Sequence, residues 1–241
     1  MTLHPDFLRR PIAHRALHDR AAGRPENSRA AVRAAVAAGY GIEIDLQGSA
    51  DGVAMVFHDD DLDRLTGATG PVRARTAAEL GAIRLTDAED GMPTLAEVLE
   101  IVAGRVPLLI EIKDQSGVMG PEMGPLPEAT AATLAGYRGP VAVMSFNPHA
   151  VAAMARLAPG LPRGLTTYAW PEGDHGQAPD DPARRARLAA IADYDAVGAC
   201  FISHHWRDLD RPRVAELKAR GAAVLCWTIC SPAEEAEARR V

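Results

Sequence analysis

Two charged pairs at the ends of short apolar runs are the first residues in this chain that could do chemistry. In Gly41–Leu46 the carboxylates of Glu43 and Asp45 stand two residues apart, and on a strand that spacing turns both to one face. Glu111-Ile112-Lys113 repeats the geometry at the end of Pro107–Ile112, now with a carboxylate and an ammonium. A lone Glu-x-Asp on a strand is as a rule a solvated or salt-bridged face. Two such pairs on successive strands of a parallel sheet would gather three carboxylates, which repel one another unless a cation joins them. An all-oxygen donor set suits a hard divalent ion, Mg²⁺ or Ca²⁺, and the absence of Cys and His from the cluster argues against zinc. His14 closes the first strand-like run and His58 closes Val53–Phe57. Either imidazole alone reads as a structural group. Beside a carboxylate–metal cluster the two become candidates for general acid and general base, because imidazole titrates near neutral pH. Arg15 and Lys113 could hold phosphate oxygens, the arginine through a bidentate fork. Asn27, in Pro25-Glu26-Asn27 ahead of the first helix, could cap that helix, touch the substrate, or do both.

These residues need a scaffold that brings strand ends together. Strand-like runs at Pro11–His14, Gly41–Leu46, Pro107–Ile112, Val141–Ser145, Arg163–Thr167, Val197–Ile202 and Ala222–Thr228 alternate with Ala-rich amphipathic stretches. The helix starts carry their own signals: Asn27 or Ser28 before a helix that Gly39 ends, a Thr94-x-x-Glu97 capping box, and cap-plus-proline pairs at Asn147-Pro148, Asp181-Pro182 and Ser231-Pro232. Strand–helix alternation at this pitch indicates a parallel sheet covered by helices, and the expected fold is a (β/α)8 TIM barrel. Val53–Phe57 breaks the rhythm, because only Gln47–Gly52 separates it from Leu46. A parallel crossover needs about a dozen residues, so this run should return antiparallel. It opens a small insertion after strand two, at about residues 47–92 of a single domain spanning 1–241. An eighth strand is not evident: the sequence stops at Val241, just after a helix, and a tail completing the barrel is the expectation.

Bulk properties set outer bounds. The chain has 241 residues, 47% hydrophobic and 24% charged, with a formal net charge of −6. That balance argues against nucleic acid or an anionic membrane as the main partner, while a local cation could still recruit a small anionic substrate. No apolar run approaches the roughly 18 residues of a membrane span, and Met1–Pro11 lacks the apolar stretch of a secretory signal. Cys200, Cys226 and Cys230 show no metal-ligand spacing with His and read as reduced core residues, which suits a cytoplasmic location.

The motifs also carry a resemblance. His14-Arg15-Ala16, Pro25-Glu26-Asn27-Ser28, Glu43-Ile44-Asp45-Leu46 and His58-Asp59 occur in the order and spacing of glycerophosphodiester phosphodiesterases. So do Leu62-Asp63-Arg64-Leu65-Thr66-Gly67, Pro93–Glu97, Glu111-Ile112-Lys113, Ser145-Phe146-Asn147 and Trp227-Thr228. The resemblance implies metal-dependent hydrolysis of a glycerophosphodiester to glycerol 3-phosphate and an alcohol. It would put one divalent cation on Glu43, Asp45 and Glu111, acid–base catalysis on His14 and His58, phosphate contacts on Arg15 and Lys113, and an aromatic pocket wall on Trp227. The sequence departs from the family pattern at Ala16, where the family has glycine. The leaving alcohol should meet the loops after strands three, five and six: Asp114–Pro127, Pro171–Asp180 with His175, and His204-His205-Trp206. Two rivals use the same barrel: a phospholipase D-like or sphingomyelinase-like activity on lysolipids, for which the Met119–Met123 loop is the hint, and a barrel that binds a phosphorylated ligand without turnover.

Overall fold

The computed structural model describes residues 1–171 and 179–241. Strand and helix alternate along the chain: β1 (Ile12–Ala13), α1 (Arg29–Ala38), β2 (Gly41–Gly48), β3 (Ala54–Val56), α2 (Ala77–Ala82), α3 (Leu95–Val102), β4 (Leu108–Ile112), α4 (Leu126–Leu134), β5 (Val141–Ser145), α5 (Pro148–Leu157), β6 (Arg163–Thr167), α6 (Pro182–Ala189), β7 (Phe201–His205), α7 (Pro212–Ala219), β8 (Ala223–Trp227) and α8 (Pro232–Ala238). β1, β2, β4, β5, β6, β7 and β8 are parallel neighbours in that order. Residues from β1 through β8 line one cavity, so the sheet curls as in a TIM barrel. Among the described residues no pairing joins β8 back to β1, and every residue of β8 keeps intermediate exposure, as an edge strand does.

The period-two alternation builds two layers. Ile42, Ile44 and Leu46 of β2 and Leu108, Ile110 and Ile112 of β4 pack outward on α1, α3 and α4, in a core shared with Val32, Val98 and Leu126. The inward residues near the strand starts, Leu109, Ala142 and Phe201, pack on Leu3 and Phe7 from the N-terminal segment. That apolar plug fills the lower barrel, beneath the charged residues at the strand ends. Phe201 lies across Gly164, its register partner on β6, where an added Cβ would fall 2.4 Å from the ring.

β3 returns antiparallel against the end of β2, with Leu46 opposite Val56. The short Ser49–Val53 connection allows nothing else. The following residues carry a core of their own, in which Met55, Phe57, Leu62, Leu80 and Met92 are fully buried. Helix starts form as their caps dictate. Ser28 Oγ accepts from the Ala31 amide, both arms of the Thr94–Glu97 box are closed, and Gly39 ends α1 in the left-handed conformation.

Two expectations change. The sixth parallel strand is Phe201–His205, displaced along the chain from Val197–Ile202. Gly198 has φ +62, which ends any extended run, and the Val197 carbonyl is taken by Arg163 Nε at 2.9 Å. The cysteines also divide by environment: Cys200 is buried, Cys226 half-buried and Cys230 exposed, all with free thiols. No helix among the described residues is long and apolar enough to cross a membrane.

Candidate active site

The inward residues at the upper ends of β1, β2 and β4 meet in an open cavity of about 140 Å³. His14, Arg15, Glu43, Asp45, His58, Glu111, Lys113 and Trp227 all line it. His14 and Arg15 directly follow β1, and His58 directly follows Phe57 at the end of the hairpin strand β3. The hairpin therefore carries one imidazole across the mouth toward the other.

Register places the carboxylates. Asp45 and Glu111 are direct lateral partners between β2 and β4, and Glu43 lies one pleat below on the same face. One oxygen from each of the three lies within 4.8 Å of the others, and all three residues are buried. Lys113 answers part of this charge, its Nζ 2.7 Å from Asp45 Oδ1 and 2.6 Å from Glu111 Oε1. Burial works against the Lys113 ammonium, but the two carboxylates outweigh it and hold its pKa above the ordinary lysine value. Burial would likewise raise Asp45. The charges of Lys113 and His58 and the bonds from Lys113 and Asn27 overcome that and bring it down to about 2. Among the described residues Glu43 has no cation of its own, and its Oε2 accepts the Arg15 backbone N–H at 2.8 Å. Burial first, then the charges of Asp45 and Glu111, push it well above the usual carboxylate range. Burial also raises Glu111. Three buried carboxylates, one of them uncompensated, fit a hard divalent cation on chemical grounds.

Burial, then the neighbouring Arg15 charge, lowers His14 to about 4. Its ring is therefore neutral at neutral pH. His58 Nδ1 lies 2.7 Å from Asp59 Oδ1. Arg15 binds Glu26 through Nη1 at 2.8 Å, while its buried Nε has no hydrogen-bond partner, standing 3.8 Å from Asp45 Oδ2. An unpaired buried donor beside the cavity is a contact waiting for an acceptor such as a phosphoryl oxygen.

Asn27 sits elsewhere than a substrate contact would. It is 1% exposed and absent from the cavity wall. Its Nδ2 donates to Asp45 Oδ2 at 2.9 Å, and its Oδ1 accepts from the Asp45 amide at 3.3 Å. The cap of α1 is Ser28. Asn27 has φ +57, a conformation asparagine tolerates better than most residues. Ala16 also lies in the left-handed region, with φ +64, so this is a position where glycine would be free of strain. The alanine is held there by two backbone bonds, from its amide to the Ala13 and Glu43 carbonyls, and by a side chain buried in the outer core.

The upper wall is aromatic. Phe146 and Trp227 both line the cavity and meet edge to face with centroids 5.4 Å apart, and Tyr168 and Trp170 pack behind them. The Phe146 contribution is legible only as the middle residue of Ser145-Phe146-Asn147. The expected leaving-group loops divide. His204 stands on β7 with its side chain in the outer layer, its Nδ1 2.7 Å from Thr167 Oγ1, because the strand starts later than its apolar run suggests. His205 faces the mouth and packs on Trp227 at 5.1 Å. The Asp114–Met123 loop is tied down by Asn147, whose Nδ2 reaches Asp114 Oδ1 and the Gly120 carbonyl. His175 lies outside the described residues.

Comparison with known proteins places nearly the whole chain in one family. The signature of the glycerophosphoryl diester phosphodiesterase family matches residues 14–241. A glycerophosphodiester phosphodiesterase of Caldanaerobacter subterraneus is 32% identical over 151 residues, which are 58% of this chain and 60% of that relative. The match thus spans less than two thirds of the relative's length. An Oleispira antarctica phosphodiesterase, solved with its product sn-glycerol 3-phosphate, superposes with a TM-score of 0.76 at 25% identity, covering 98% of this chain and 90% of the other. A glycerophosphodiester phosphodiesterase from Parabacteroides distasonis shares the fold, with a TM-score of 0.72 at 23% identity over 94% of this chain and 87% of its own.

Proposed function

Because the chain belongs to the glycerophosphoryl diester phosphodiesterase family, we propose that it hydrolyses glycerophosphodiesters to glycerol 3-phosphate and an alcohol, with His14 and His58 as the acid–base pair. The observation that carries this reading is the single cavity lined by two imidazoles, three carboxylates, Arg15 and Lys113. A divalent cation, Mg²⁺ or Ca²⁺, would be held by Glu43, Asp45 and Glu111, and when bound it supplies Lewis-acid stabilisation of phosphoryl charge.

The protein's own groups do the rest. Arg15 Nε, buried and unpaired, binds a non-bridging phosphoryl oxygen and orients the diester. His14, neutral above about pH 4, takes the proton of the attacking hydroxyl. His58, its Nδ1 occupied by Asp59, uses Nε2 to protonate the departing alkoxide. With the glycerol 2-hydroxyl as nucleophile, a new P–O bond closes a cyclic phosphate as the P–O bond to the alcohol breaks. Water then opens the ring: it loses its proton to His58, and His14 returns its proton to the glycerol 2-oxygen. Both imidazoles end as they began. The aromatic wall of Phe146 and Trp227 faces the leaving alcohol and excludes water from that side.

The lysolipid alternative rested on an apolar Met119–Met123 loop at the mouth. Both methionines are buried, at 8% and 5% exposure, so neither is presented to a membrane, and the water-soluble diester is the reading favoured. The test is release of sn-glycerol 3-phosphate from glycerophosphocholine and glycerophosphoethanolamine with Mg²⁺, Ca²⁺, Mn²⁺ or EDTA. Metal-dependent release that EDTA abolishes is expected. Turnover of the lysolipid alone would move the protein to the lipid-cleaving class, and binding without release would make it a phosphoryl-ligand receptor.

A further inference from the structure

Arg64, in the Leu62–Gly67 motif, lies outside the cavity, yet it is the centre of a chain of charge-assisted hydrogen bonds that ends on two groups lining it. From one end, His58 Nδ1 is 2.7 Å from Asp59 Oδ1. Arg64 clamps that carboxylate with Nε to Oδ2 at 2.6 Å and Nη2 to Oδ1 at 2.7 Å. Its outer edge grips Glu26, Nη1 to Oε2 at 3.0 Å and Nη2 to Oε1 at 2.9 Å. Glu26 Oε1 then accepts from Arg15 Nη1 at 2.8 Å. Charge alternates from Asp59 through Arg64 and Glu26 to Arg15, so Arg64 and Glu26 are each held by an opposite charge on both sides.

The chain joins parts of the fold that the backbone holds separately. His58, Asp59 and Arg64 belong to the segment after β3, which has its own small core, whereas Arg15 follows β1 and Glu26 precedes α1 on the barrel rim. Both forks of one planar guanidinium are used, a geometry an ammonium cannot reproduce. With Arg64 donating to both Asp59 oxygens, that carboxylate is acceptor only, so the His58 Nδ1 carries the proton and Nε2 is left for exchange with the reactants. Burial would raise Asp59, but the bonds from His58 and Arg64 hold its carboxyl well below the usual range. The Arg64 side chain is itself 47% exposed, and exposed ion pairs contribute little to folding.

We propose that Arg64 is a positioning residue that, through Asp59 and Glu26, fixes the tautomer and orientation of His58 and the guanidinium of Arg15 relative to one another. This rests on the roles given above to His58 and Arg15.

The test compares Arg64→Gln, Arg64→Lys, His58→Ala and the Arg64→Gln/His58→Ala double variant in the full chain with a divalent cation, turning over glycerophosphocholine. Arg20→Gln, which breaks the exposed Arg20–Asp87 pair, is the control. Loss of groups that orient a site residue typically costs about 10- to 100-fold, so Arg64→Gln should lower kcat by that order and raise KM. Its melting temperature should stay with that of Arg20→Gln. Arg64→Lys should not rescue it. In the His58→Ala background, removing Arg64 should leave kcat unchanged and affect only KM, through Arg15. In parallel, at a pH where the His58 ring is neutral, its imidazole ¹⁵N resonances should report one Nδ1–H tautomer in the parent protein and a mixture in Arg64→Gln, whatever the turnover. Parent-like kinetics for Arg64→Gln, an equal kcat loss with and without His58, or an unchanged His58 tautomer would each overturn the proposal. Parent-like turnover of His58→Ala alone would instead overturn the functional reading beneath it.

Discussion

Replacing Asn27 by alanine separates a residue that holds the site from one that touches substrate. Three contributions add up in the structure. The Asn27 Nδ2 bond to the Asp45 carboxylate, at 2.9 Å, is a hydrogen bond to a charged group, worth about 1.5–3 kcal/mol. The Asp45 amide, which now donates to Asn27 Oδ1, loses an acceptor where no water reaches it freely, at about 1 kcal/mol or more. Alanine at φ +57 costs about 1 kcal/mol more, since its Cβ crowds the neighbouring carbonyl. The total is about 4 kcal/mol, and Asn27→Gly should lose about 1 kcal/mol less because glycine accepts this backbone freely. Urea unfolding of the two variants measures both figures. In turnover, an unrestrained Asp45 should raise the divalent-ion concentration needed for half-maximal rate. A substrate contact would behave differently: KM for the diester would rise while stability and ion requirement stayed unchanged. That outcome, or a stability loss below about 1 kcal/mol for alanine, would refute the argument.

Further outcomes follow from the same structure. His14→Ala and His58→Ala should each lower turnover by about 10² to 10⁴ with little change in melting temperature, and parent-like rates for both would remove the acid–base assignment. His204 is fully buried and its pKa falls from 6.5 to about 4, through burial, with its Nε2 unpaired. A depressed folded-state value means that stability is fully present above pH 6.5 and is lost as pH falls through 4, by about 3 kcal/mol in all. His204→Gln should flatten the slope of unfolding free energy against pH in that window, and an unchanged slope would show that another group sets it. Gly164→Ala would drive a Cβ to 2.4 Å from the Phe201 ring and should cost about 1–3 kcal/mol through overpacking. Chemical denaturation should recover part of that loss in Gly164→Ala/Phe201→Leu, and equal stability of the two variants would contradict the clash.

What the sequence determines by itself are features set by local periodicity and chain length. Glu43 and Asp45 share a face because side chains on a strand alternate. Val53–Phe57 returns antiparallel because its connection is too short to cross over. Ser28, Thr94, Asn147, Asp181 and Ser231 start helices because their side chains accept backbone amides there. The tertiary structure decides whatever depends on distance between strands or on a backbone angle. Asp45 meets Glu111 because β2 and β4 pair in that register, and Lys113 reaches both carboxylates only because of it. Asn27 looked equally suited to cap or contact, since its amide serves either; the left-handed turn at that residue aims it at Asp45 instead. The apolar run ahead of Phe201 read as strand, yet the Gly198 turn spends those residues on packing and moves His204 to the outer layer. Arg64 showed only as part of a motif, because a residue that acts by holding two others across a gap carries no local pattern of its own; its partners at Asp59 and Glu26 are 5 and 38 residues away.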